Sequence, residues 1–193
     1  MTAARILIAP MILMLAACGG GSGGNSTVEQ AAETGEVDLT NAAPGEVAKQ
    51  AKASGAMRLN PGEWETTVEV VDIDIPGMPK GGPHSDVMKV MREAKTTVTN
   101  CVTPEEAENP ESGVFTGSNG QCRYERFRMG GGRIDGTLAC RGKDGGGDMR
   151  MSVNGTFSDT AFALDNAMET RMGDSVMKMR AKVSGKRIGA CKG

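Results

Sequence analysis

Aromatic side chains are scarce in this chain. Its 193 residues include one Trp (Trp64), one Tyr (Tyr124) and four Phe. So few flat rings leave little surface for stacking nucleobases or sugars. An excess of either charge is also lacking. Lys and Arg number 22 against 24 Asp and Glu, for a formal net charge of −2, so no bulk positive field draws nucleic acid. Histidine occurs once, as His84 beside Ser85 and Asp86. A Ser-His-Asp triad is made by geometry in space, and adjacency in sequence does not make one. No two cysteines show C-x-x-C spacing, so a zinc site is not expected. No Gly-rich stretch leads into a helix through Lys-Ser or Lys-Thr, which excludes a phosphate-binding loop of that type. With no catalytic constellation, cofactor motif or metal-ligand set, the expectation is a protein that is not an enzyme.

The location is better marked. After a short, weakly basic start ending at Arg5, residues Ile6 to Ala17 are nearly all apolar. About 12 apolar residues suit the core of a signal peptide, whereas a spanning helix needs roughly 20. Leu15-Ala16-Ala17-Cys18 follows, and a Gly/Ser-rich run comes directly after it. This element resembles the lipobox of bacterial lipoproteins. The resemblance implies cleavage before Cys18, acylation of that cysteine and anchoring in an envelope membrane. Gly19, where an aspartate would signal inner-membrane retention, points to the outer membrane, with the protein facing the periplasm. No later segment is long and apolar enough to span, so residues 1–17 are read as signal peptide and the mature chain as anchored.

Methionine (14) and glycine (28) are abundant. Cysteines number five; once Cys18 is set aside, Cys101, Cys122, Cys140 and Cys191 form an even set, which in an exported domain reads as two disulfides. Met149 with Met151, Met168 with Met172, and Met177 with Met179 are spaced to share a face. Thioethers bind Cu(I), but these residues also fall on the apolar phase of their segments, where core packing accounts for them. Lys178, Arg180 and Lys182 alternate with them and read as the wet face of the last strand, with anionic head groups as the alternative partner.

Composition divides the chain. Residues 18–56 begin with the lipidation cysteine and a Gly/Ser run, and Asn25 to Ala42 is polar and lacks aromatics. The expectation is a disordered, flexible tether, with a short helix over Pro44 to Ala53 ended by Gly55. From residue 57 to 193 the pattern is that of strands. Trp64, Thr66, Val68 and Val70 alternate with Glu63, Glu65, Thr67 and Glu69. Lys95 to Val102 is rich in Thr and Val. Pro104 to Ala107 suits one helical turn, and Asp86 to Ala94 a short helix capped by Ser85. Segments 121–129, 133–141, 148–157, 160–172 and 176–188 are separated by turn residues. The fold class is therefore mainly β: an antiparallel meander of about seven strands with one short helix, forming a curved sheet, small barrel or sandwich.

Pro61-Gly62-Glu63-Trp64-Glu65, Thr99-Asn100-Cys101-Val102-Thr103, Gln121-Cys122, Ala139-Cys140 and Gly185-Lys186-Arg187-Ile188-Gly189-Ala190-Cys191 occur in that order. Together they resemble the proteobacterial exported family known as domain of unknown function 3617, over residues 57–193. The resemblance implies an extracytoplasmic domain with paired cysteines, and no reaction, substrate or catalytic residue. The pairing follows from the hairpin. If Gly130-Gly131-Gly132 is a three-residue turn, Met129 opposes Arg133 and Cys122 opposes Cys140. Cys101 and Cys191 are left to pair with each other. The functional expectation is a lipid-anchored binding module for a small apolar ligand or an envelope protein. The alternatives are a purely structural envelope protein and Met-based copper handling.

Overall fold

The structure, a computed structural model, describes residues 25–56, 58–77, 89–90, 95–108, 122–142 and 147–192. The strands are β1 (Val37–Ala42), β2 (Gly62–Asp74), β3 (Lys95–Val102), β4 (Cys122–Gly130), β5 (Arg133–Cys140), β6 (Met149–Phe157), β7 (Ala161–Met172) and β8 (Ser175–Gly189). They form one open, eight-stranded antiparallel sheet in the order β1-β4-β5-β6-β7-β8-β2-β3. The five consecutive strands β4 to β8 make the expected meander. Two pairings join strands distant in sequence: β1 docks on β4, and the β2–β3 pair docks on β8.

The expected tether is corrected for residues 25–56. Helix α1 (Val28–Thr34) starts at a capping box: the Thr27 hydroxyl accepts from the Gln30 backbone N–H, and the Gln30 side chain accepts from the Thr27 N–H. It stops at Gly35, whose φ of 73° is left-handed. Helix α2 (Pro44–Ser54) opens with Pro44 in its first turn and stops at left-handed Gly55, as the sequence indicates. Ala31, Val37, Leu39, Ala42, Val47, Ala48 and Ala51 are all buried in one cluster with Tyr124, Phe127, Met129, Ile134 and Leu138. Residues 25–56 thus share a core with the sheet, and no boundary falls at residue 57. Average polarity hid this. Small alanines lend little hydrophobicity to a composition count, yet they let α2 pack close to β1 and β4.

The hairpin turn is also corrected. It has two residues, Gly131 and Gly132, at φ 56° and 73°, and Gly130 pairs with Arg133. That register alone would misalign the cysteines by one residue. A β-bulge at Glu125 restores it, because Tyr124 opposes Leu138 while Arg126 opposes Thr137. Cys122 consequently faces Cys140 by a route other than the expected three-residue turn.

Helix α3 (Pro104–Glu108) is the expected single turn. Thr103 donates from its N–H and hydroxyl to the Glu106 carboxylate, which holds that carboxyl below its ordinary pKa. Of the expected helix over 86–94, only Lys89 and Val90 are described, both helical.

Candidate functional site

The two faces of the sheet differ in chemistry, and cross-strand register decides which residues share each. Residues directly opposite lie on the same face. One row therefore runs Leu138, Met151, Met168, Met179, Ile73 across β5, β6, β7, β8 and β2. Parallel rows contain Cys140, Met149, Thr170, Met177 and Ile134, Gly155, Leu164, Val183, Val68. Four interstrand spacings make the first row about 19 Å long. Helix α2, with α1 packed on it, bears on β1 and β4, at one end of this face. Leu138 is buried there, whereas Met151, Met168 and Met179 are half-buried and Val68 is 38% exposed. A bulge at Val71 turns Ile73 onto the apolar face, where it is buried.

The opposite face is charged. Cross-strand ion pairs join Arg128 to Asp38 (3.1 Å), Arg126 to Asp135 (2.7 Å), Lys186 to Glu65 (3.0 Å) and Lys178 to Glu169 (3.4 Å). Arg150 bonds Glu125 at the bulge, and the Arg123 guanidinium donates to Asn41 of β1. The side chains of these ion pairs remain largely solvated, so each contributes at most about 1 kcal/mol. Depressions on this side, one beside Arg123, Arg150 and Arg171 and another beside Asp38, Arg128 and Asp135, are shallow and open to water. Lys178 and Arg180 do lie on the wet face, paired with Glu169 and Asp72.

The motif residues converge at one corner of β2 and β8. The Arg187 guanidinium donates to the Pro61 carbonyl (2.8 Å), and the Arg187 N–H to the Thr160 carbonyl (2.8 Å). Trp64, 1% exposed, donates its indole N–H to the Asn60 carbonyl (3.0 Å) and stacks on Phe162 with ring centroids 6.0 Å apart. Phe162 lies over Gly185, where a Cβ would come within 2.3 Å of the ring. Gly62, at φ 146°, backs onto the Gly189 carbonyl at a similarly forbidden distance. This corner is a packing device in which Gly185 makes room for Phe162 and its stack with Trp64, and Gly62 for the Gly189 carbonyl and Arg187. The sequence singled out both motifs but carried no signal that Phe162, over 20 residues from either, would join them.

Both disulfides are formed: Cys101–Cys191, with Cα atoms 5.4 Å apart, and Cys122–Cys140, at 4.0 Å. Cys18, with the lipobox, and His84, Ser85 and Asp86 lie outside the described residues. Of the methionine sets, Met151, Met168 and Met179 become neighbours across strands, while Met149 and Met177 flank Thr170. Met172 instead opposes Ser175 at the β7–β8 turn. Among the described residues no three His, Cys, Asp or Glu side chains gather as a metal site. Burial pushes the phenol of Tyr124 above its ordinary value.

Fold and corner together define a class: an open antiparallel sheet, capped at one end by helices and stapled by two disulfides. The chain belongs to the family described as protein of unknown function (DUF3617), whose model matches residues 59–191. Neither a curated protein nor a solved structure matches it. The matched region begins after α2, so α1, β1 and α2 lie outside it.

Proposed function

We propose that this chain is a lipid-anchored protein of the bacterial envelope, with no enzymatic activity, that holds a small apolar ligand against its sheet. The carrying observation is the half-buried row Met151, Met168, Met179, which lies beyond the part of the sheet where the helices mainly pack. Thioether side chains are flexible and polarisable, and they adapt to apolar ligands of varied shape. The opposite face, laced with ion pairs, offers an apolar molecule nothing comparable. The disulfides accord with an oxidising compartment, and Leu15 to Cys18 with acylation and outer-membrane delivery. A protein partner on the same face, a purely structural role and Cu(I) held by the methionine row are the rivals.

Native mass spectrometry of the full chain, purified from its own envelope, separates these readings. The expected result is a retained apolar molecule that is lost in Met168→Lys while the melting curve stays close to wild type. Absence of any retained species, together with no saturable binding of palmitate as a probe, would overturn the proposal. Stoichiometric copper that disappears with the same methionine would establish the metal reading instead.

A further inference from the structure

The two edges of the sheet are treated differently. At β1 the outward backbone groups are occupied. The Ser26 N–H donates to the Asp38 carbonyl (2.8 Å), and the Asp38 N–H to the Ser26 hydroxyl (3.0 Å). The Thr40 N–H donates to the Asn25 side-chain oxygen (2.7 Å), and the Asn25 amide to the Thr40 carbonyl (3.1 Å). Asn25 and Ser26 thus close that edge against further pairing.

Edge strand β3 has no such cover among the described residues. Lys95 to Cys101 are all exposed, and Val98 is 51% exposed. The strand's own sequence offers little of the usual protection of an edge. The strand contains no proline and one charge, Lys95, and its eight pairs with β2 run without a bulge. It is also held firmly, because Cys101–Cys191 ties it past β2 to the end of β8. A strand with so little packing of its own is thereby kept straight and ready to pair, which lowers the ordering cost of association.

We infer that β3 is a self-association edge, on which a second copy of this chain adds its own β3 antiparallel across a two-fold axis. The strand is suited to itself. Centred on Val98, the register sets Val98 against Val98, Thr97 against Thr99, Thr96 against Asn100 and Lys95 against Cys101. No like charges meet, and Thr–Thr pairing already occurs inside this sheet, where the Thr67 and Thr97 hydroxyls lie 2.9 Å apart. This parity also keeps the apolar face continuous from one copy to the next and gives exposed Val98 an apolar neighbour in the partner's Val98. A foreign charged segment would find a single charge, Lys95, along the strand. One strand pair is a small interface, so the dimer is weak and concentration-dependent.

Sedimentation equilibrium of the full chain tests this with two like-charge variants, Thr97→Lys with Thr99→Lys and Thr97→Glu with Thr99→Glu. Wild type should dimerise reversibly, each variant alone should dissociate about tenfold more readily, and an equal mixture should recover association. Matching melting curves would show that the variants fold. As a second measurement, Val98→Cys should give a disulfide-linked dimer on a non-reducing gel, while Asn100→Cys should give far less. A wild type that stays monomeric, variants that dimerise undiminished, or a mixture that recovers nothing would each overturn the inference. So would a monomer that binds a foreign extended peptide along β3.

Discussion

At the residue scale, the corner around Gly185 shows how a motif glycine is explained by what sits on it. Phe162 occupies the space a side chain would fill, and Trp64 stacks on Phe162 in turn. Gly185→Ala should therefore push Phe162 out of that stack and destabilise the protein by about 1–3 kcal/mol, as overpacking does elsewhere. Gly189→Ala is the internal control, because nothing lies within 4 Å of its would-be Cβ. Urea unfolding of the pair should show a lowered midpoint for the first and little change for the second. Equal midpoints would refute this account of the corner.

At the element scale, α1, β1 and α2 correct the reading of residues 25–56 as a tether. Their sequence is polar on average, but apart from Gln50 the buried positions are apolar, most of them Ala or Val. Val37 and Leu39 oppose Met129 and Phe127, and Leu39 is fully buried. Leu39→Ala should cost about 2–5 kcal/mol in equilibrium unfolding, a typical large-to-small core penalty. A tether residue would tolerate the change with no measurable loss, so a neutral result would return this segment to the linker. The hairpin offers the second element-scale lesson. Two expectations about β4 and β5, a three-residue turn and no bulge, were each off by one residue, and the errors cancelled at Cys122 and Cys140. Bulges leave no mark in a single sequence, because the extra residue is placed by packing against both neighbouring strands. Here Asn41, at φ 52°, lies across from Glu125 on β1.

At the scale of the whole molecule, an eight-stranded open sheet covered by helices at one end keeps together through covalent links as well as burial. Closing a loop of about 90 residues, as Cys101–Cys191 does, contributes roughly 4–5 kcal/mol in the chain-entropy account. That suits a domain with few aromatic side chains. The anchoring proposal has its own test. Cys18→Ser should abolish incorporation of labelled palmitate that wild type shows. Equal labelling of both proteins would remove the lipid anchor from the proposal while leaving the sheet and its disulfides untouched.

The amino-acid sequence by itself determined the features that are local. Alternation over Trp64 to Val70 and over Met177 to Val183 set which side chains share a face. Turn residues such as Gly131-Gly132 and Gly173-Asp174 marked the turns, and the order of motifs set the family. It also determined that four cysteines would pair, and the short β4–β5 hairpin pointed to Cys122–Cys140, though by a turn length that the structure corrects. Tertiary structure alone decided what depends on contacts between distant segments. It joined β8 to β2 and β1 to β4, made Met151, Met168 and Met179 neighbours, set Phe162 between Trp64 and Gly185, and placed β3 at the edge of the sheet. The physical reason is that periodicity and turn chemistry act over a few residues. The choice among sheet partners rests on the summed burial of whole faces, which no local stretch contains.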